Sequence, residues 1–374
     1  LLVRQLDSAF VSREDRRSRT SERNREDDVK IWRLTFVVAL APMGAQADPV
    51  ADFYAGAGKE IRAVIRSEPG SGYDQLTRLL ARHMPRHIPG APAFVSVNMP
   101  GGGGILAANY LANVAPKDGT ILSIVGQGLV ADQALGLSPQ LKADVGKFNW
   151  IGNLQSSNQM LAVWHASPTR SLEDAKTRET TIGTTGAGSA SVHYPTFYNN
   201  VLGTRFKIVF GYTSGPAINL AMERGEVEGR GTNTYASYLS ATPHYIEKKL
   251  IRPLIQIGVK KDPAMPDAPL LLDQPVRDEH KAPVAFMSKA ATMGRPLATT
   301  PDAPPDRVAA LRKAFDATMK DPAFVAEAEK MQAEIDPMSG EDLARLVNDI
   351  LAAGPQVRDS VLALISAPQA AGAK

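Results

Sequence analysis

Four short segments of the 374-residue sequence gather residue types that can hold an anion without a charged side chain. Asn98–Gly104 reads NMPGGGG, Arg66–Leu76 reads RSEPGSGYDQL, Thr184–His193 reads TTGAGSASVH, and Gly211–Gly229 opens GYTSGPA. In each, Gly, Ser or Thr stands between a short apolar run and a helical pattern. Glycine at the mouth of a helix admits positive φ and leaves peptide N–H groups bare, and the helix start carries about half a positive charge. At Gly101, Gly102, Gly103 and Gly104 the readings are a seat for a phosphate, a seat for a carboxylate, or a tight helix entry and nothing more. Pro69 to Gly72 is an anion seat or a plain turn, with Asp74 capping a helix that starts near Tyr73. Four loops of one kind imply a shared cleft.

Searches for catalytic chemistry come out empty. The sequence has no G-x-S-x-G elbow, no G-x-x-x-x-G-K-[ST] loop and no H-E-x-x-H. Gly186-Ala187-Gly188 resembles part of a dinucleotide fingerprint, but Ser191 stands where the third glycine belongs. His83 and His87 have the spacing of two metal ligands on a helix; Pro85 between them ends that helix, which leaves a solvated helix end. His193 near Ser189 and Ser191 has no carboxylate placed to orient it as a base, so it reads as a loop-holding histidine. The absence of cysteine excludes thiolate chemistry and cysteine-ligated metal. Neither a cofactor nor a metal is expected.

The elements that must position these loops alternate. Apolar runs at 63–65, 94–97, 121–125, 161–164, 181–183, 208–210, 254–259 and 284–286 are separated by helical patterns, which implies parallel sheets covered by helices, an α/β architecture. Leu76, Leu79, Leu80 and His83 share a helix face, as do Leu106, Tyr110 and Val114. Toward the C-terminus Val308, Leu311, Phe315 and Met319 form another, and Ser339 with Asp342 has capping-box spacing. The length fits two domains. Nine of the 42 basic and seven of the 39 acidic residues fall within 1–33, leaving 33 against 32, and no basic stripe points to nucleic acid. Residues 30–47, KIWRLTFVVALAPMGAQA, have the order of a secretory signal: a positive start, an apolar stretch about half the ~20 residues needed to span a bilayer, and a small-residue cleavage pattern ending at Ala47. The charged stretch before it is expected to be a start assigned too far upstream, with translation beginning near Val29.

The blocks PGSGYDQLTRLLARHM, NMPGGGGILAANYLANVAPKDGTIL, GTTGAGSASVHYPTFYNNVLG, AINLAMERGEVEGRG and RPLATTPDAPPDRVAALRKAF, in order between Lys59 and Met331, resemble the extracytoplasmic solute receptors of tripartite tricarboxylate transporters, the Bug family. The resemblance implies a type II periplasmic-binding-protein fold: two α/β domains, here 48–160 with 284–374 and 161–283, joined by crossing strands and closing over a small organic acid. It implies a carboxylate held by main-chain N–H groups and waters of the first two loops, with little reliance on salt bridges. Position by position, the first loop is Ser67, Glu68, Gly70, Ser71, Gly72, Tyr73 and Asp74, with Arg78 behind it. The second is Asn98 and Gly101 to Gly104; the second domain adds Thr184, Gly186, Gly188, Ser189, Ser191, His193 and Tyr212. Glu68 departs from the family pattern, and either turns out toward Arg66 or reads an amino or hydroxyl group on the ligand. The implied role is a periplasmic, non-catalytic monomer that delivers its ligand to the membrane subunits of a transporter. A sensory protein presenting ligand to a membrane partner, or an exported enzyme acting on a phosphorylated or acidic small molecule, are the alternatives.

Overall fold

The computed structural model describes residues 48–56, 59–186 and 189–366. The expected signal segment, the charged stretch before it, Gly188 and the Ala/Gly/Pro tail after Ser366 lie outside the described residues. The first six strands in sequence are β1 Glu60–Ile65, β2 Ala93–Asn98, β3 Ile121–Ile124, β4 Asn149–Asn153, β5 Gln159–Trp164 and β6 Thr180–Gly183. They are followed by β7 Phe206–Val209, β8 Gly229–Thr234, β9 Ile251–Ile257, β10 Pro296–Thr299 and β11 Met338–Ser339. Two sheets result, ordered β11-β4-β10-β3-β1-β2 and β7-β6-β8-β5-β9.

The sheets are mixed rather than wholly parallel. In the first, β1 runs parallel to β2 and β3, while β10 runs antiparallel to β3 and β4. In the second, β6 runs parallel to β7 and β8, while β5 runs antiparallel to β8 and β9. The chain crosses between the sheets twice, from β4 to β5 and from β9 back to β10. The crossings touch. Ser156 and Met293 form an antiparallel bridge, and the Arg295 N–H donates to the Gln155 carbonyl at 3.1 Å and to Asn153 Oδ1 at 2.8 Å. A Cβ on Gly294 would overlap the Gln155 carbonyl, so the close passage of the two segments requires glycine there.

Most apolar runs expected as strands form them. Val284–Phe286 does not: it lies inside the helix Asp278–Thr292, where His280, Pro283, Val284, Met287 and Ala291 are buried at helical spacing. A three-residue apolar run cannot outweigh a helical stripe that faces the core. In the helix Gly72–His83 the expected face of Leu76, Leu79, Leu80 and His83 is buried. The helix Pro305–Met319 likewise buries Val308, Leu311, Phe315 and Met319. The helix Ile105–Asn113 turns the other way. It buries Ala107, Ala108 and Leu111 and leaves Leu106 exposed, with Val114 exposed at its end, because small residues let it lie close against the sheet. Among the described residues no helix is long and apolar enough to cross a membrane.

Candidate ligand-binding cleft

At the end of β1 the chain delivers Arg66. Its guanidinium donates through Nη2 to the Gly103 carbonyl and lies 4.3 Å from the centroid of the Tyr73 ring. Gly101 to Gly104 all have positive φ, and a Cβ on Gly104, at φ +104°, would overlap Arg66 Nε. The neighbour that comes so near the glycine run is therefore the protein's own arginine. Glu68 is exposed and makes no ion pair with Arg66, contrary to the outward pairing considered from sequence, nor with any other of the described residues.

Behind this edge, the first loop is fastened from within. Ser71 caps the helix Gly72–His83, accepting from the Asp74 N–H at 3.3 Å, and its hydroxyl meets that of Ser67 at 2.5 Å. Asp74 is buried, and accepts from the Gly70 N–H at 2.9 Å, Arg78 Nε at 2.9 Å and Asn98 Nδ2 at 3.0 Å. Burial pulls its pKa up, but these donors outweigh burial and hold it below the usual carboxylate value. Asn98 also donates to the Ser67 carbonyl at 2.9 Å and accepts from Arg78 Nη2 at 3.0 Å. Ser67, Ser71, Asp74, Arg78 and Asn98 thus form one bracket that fixes the loop.

Two more arginines converge on the same space. Arg230, on β8, donates to Asn219 Oδ1 at 3.2 Å and lies 5.9 Å from the Tyr238 ring. Arg295, on the second crossing, donates to Gln127 Oε1 at 3.1 Å and to the Gly294 carbonyl at 3.0 Å, and lies 4.2 Å from the Tyr73 ring. Arg66 and Arg295 therefore share one aromatic ring. Burial raises the pKa of the Tyr73 hydroxyl, but the charges of Arg295 and Arg66 and a 3.4 Å hydrogen bond from the Gln127 N–H bring it below the ordinary tyrosine value.

The space they enclose is a cleft of about 370 Å³, walled by both sheets. Arg66, Tyr73, Gly103 and the Gly126–Leu129 loop form one side; Gln159, Arg230, Thr232, Asn233 and Thr234 form the other, and Arg295 comes from the crossing. The Nε atoms of Arg66, Arg230 and Arg295 are each buried without a hydrogen-bond partner, and none of the three residues has an ion-pair partner among the described residues. A buried unpaired donor costs roughly 1–3 kcal/mol, more when charged. Asp132 is the one carboxylate in the wall; burial raises its pKa, opposed by a hydrogen bond from Ser138 and by His193.

Of the residues singled out from sequence, Tyr73 and Gly103 line this cleft. Gly72 lines a small recess beside it, and His193 lines an adjoining cavity. Glu68, Gly70, Gly101, Gly102 and Gly186 are exposed outside the walls. Thr184 is buried and donates to the Val209 carbonyl at 3.1 Å, and Ser191 accepts from the Thr185 N–H at 3.0 Å while meeting Ser189 at 2.7 Å. Tyr212 packs on the second sheet's core beside Gly183; burial raises its pKa. Gly188 lies outside the described residues. His83 and His87 meet Glu327 and Asp321 at 2.6 and 2.8 Å.

The sequence pointed to neutral donors, and neither the three arginines nor the Gly126-Gln127-Gly128 loop that line this cleft was singled out from it as a ligand site. That loop, after β3, repeats the glycine-before-helix pattern of the other four and was legible on the same grounds. The arginines were not, because nothing local distinguishes them among 42 basic residues.

Two α/β lobes, a pair of crossing segments and a polar cleft at the crossing define a type II periplasmic-binding-protein fold. Residues 76–359 match the family model described as the tripartite tricarboxylate transporter family receptor, and the chain belongs to that family. Its receptors are periplasmic solute-binding proteins. Among solved structures, a TctC solute-binding protein from Polaromonas, without ligand, is similar at a TM-score of 0.63 and 18% identity, covering 83% of this chain and 98% of that one. Rpa4515 of R. palustris, solved with adipate, gives 0.59 and 20% over 83% and 98%. MatC from Rhodopseudomonas palustris, with bound malate, gives 0.58 and 18% over 82% and 100%. No curated protein matches this chain significantly.

Proposed function

We propose that the protein captures a small organic acid in the arginine-lined cleft and hands it to the membrane subunits of a transporter, without chemical change to the ligand. The observation that carries this reading is the set of three guanidinium groups, Arg66, Arg230 and Arg295, whose buried Nε atoms lack partners around a cleft of about 370 Å³. Uncompensated cations in one cleft attract an anion from a distance and hold it once desolvated. Two proteins of the same fold hold adipate and malate, which are acids of the size this cleft accepts. The ligand-binding unit is a monomer of two domains, 48–160 with 284–374 and 161–283, that close about the paired crossings at Ser156 and Met293. Closure draws Arg230 toward Arg66 and Arg295, contacts that exist only in the closed form. Export through residues 30–47, with cleavage after Ala47, delivers it to the periplasm.

Thermal denaturation against a panel of four- to six-carbon di- and tricarboxylates tests the reading. A binding acid at a hundredfold excess over Kd stabilises by about 2.7 kcal/mol, a rise of roughly 5 °C. Arg66→Met, Arg230→Met and Arg295→Met should each weaken that acid about ten- to a hundredfold, the loss of one charged hydrogen-bonding partner. If no acid moves the transition, or if the arginine variants respond like the parent, the reading is wrong.

A further inference from the structure

Next to the arginine-lined cleft lies a second cavity of about 110 Å³. The two share Gln127, Gly128, Asp132, Gln159 and Ala190 as walls, so they lie side by side. Their chemistry differs. Away from the shared wall the second compartment is lined by Leu135, Tyr194, Met287, Ala291, Met293 and Ile365, with no cation and no free amide. Its titratable groups are Asp132, which it shares with the cleft, His193 and Tyr194, and burial pushes all three toward their neutral forms. Burial lowers the pKa of His193 against the pull of Asp132, and burial raises that of Asp132 against Ser138 and His193. Two methionines in the wall give it a surface that adapts to an irregular guest.

An acid that filled only the polar compartment would leave this apolar wall without a partner. Ligand sites are in general mostly apolar, with a few charged or polar groups that fix orientation, and the two compartments divide those tasks. An engineered apolar cavity of about 150 Å³ accepts benzene, six carbons, so 110 Å³ holds about four. We propose that this cavity is the second half of the ligand site and takes an aliphatic branch of about four carbons on an acid whose carboxylates are held by Arg66, Arg230 and Arg295. The cargo is then an amphipathic branched acid and not a bare polycarboxylate. The inference rests on the arginine cleft being the acid site, and adds to it a tail compartment and a ligand class.

Calorimetric titration of the full-length protein with succinate and its 2-methyl, 2-propyl, 2-butyl and 2-hexyl derivatives tests it. Each methylene moved from water into the cavity should tighten binding about fourfold, until about four carbons are housed; hexylsuccinate should gain nothing further. Ala290→Leu and Ala131→Leu fill the cavity from two different helices, and each should lower the affinity ratio of butylsuccinate to succinate at least tenfold. Using both guards against one variant that fails to fold. Arg295→Met should instead weaken every member by a similar factor and leave the chain-length slope intact. Succinate binding with a flat series overturns the tail compartment and leaves the arginine site standing. Failure of the parent to bind any member removes both.

Discussion

Arg66 and Gly104 are a single feature written at two places in the chain. Gly104 lacks a side chain because Arg66 occupies its space, and Arg66 is held at the cleft because Gly103 presents its carbonyl. Gly104→Ala should therefore do two things. It should destabilise by more than about 1 kcal/mol, since φ of +104° disfavours any L side chain, and it should displace Arg66 and weaken acid binding. Gly203→Ala provides the contrast: φ there is +73° with open space around it, so stability falls while acid affinity holds. Equal affinity in the two variants would separate Arg66 from the site. Sequence made part of this legible. Asp74 and Arg78 pair at helical spacing, but the helix is capped by Ser71 and not, as expected, by Asp74, which accepts from the Gly70 N–H instead. Asn98 could not be placed as their partner from sequence, because its contact depends on β1 and β2 lying side by side. The same limit hid Arg230 and Arg295, which reach the cleft only after the chain has crossed between sheets twice.

The helix Gly72–His83 and the short 3₁₀ turn Met84–His87 that follows it are clamped to the helix Pro322–Lys330 by charge. His83 and Arg82 meet Glu327, and His87 and Arg86 meet Asp321. The sequence reading of His83 and His87 as a solvated helix end missed these partners, more than two hundred residues away. The hydrogen bond from His87, with help from the Ala323 N–H and Arg86, holds the Asp321 carboxyl down to about 2. A depressed folded-state pKa contributes stability above the ordinary carboxylate value of about 4, and loses it as pH falls through the folded value. Asp321→Asn can retain the N-cap of the helix through its amide oxygen, and removes the charge together with the second oxygen that accepts from Arg86 and His87. Its melting temperature should lie below that of the parent at pH 6–7, and the gap should close as pH drops toward 2. A gap that persists at low pH would assign the effect to the cap instead. Elements themselves were largely readable where apolar period and turn residues agree, as in β1, β2 and β3. The strands β4, NWIGN, and β8, GRGTNT, were not, since their polar residues face the crossing and the cleft and not a core.

At the scale of the molecule, two mixed sheets are joined where Gly294 passes Gln155, and the charged cleft lies at that junction. The fold class followed from the alternation of strand and helix patterns and from the family resemblance. Helix-mouth donors can be counted along a sequence, whereas the convergence of Arg66, Arg230 and Arg295 depends on the assembled fold. In the proposed function an acid is held by arginines from both sheets and from the crossing between them. The most direct test is a structure of the protein with its acid bound. Carboxylate oxygens about 3 Å from guanidinium nitrogens of at least two of Arg66, Arg230 and Arg295 are the predicted result. An acid seated on the glycine loops alone, with all three guanidinium groups beyond hydrogen-bond reach, would contradict it.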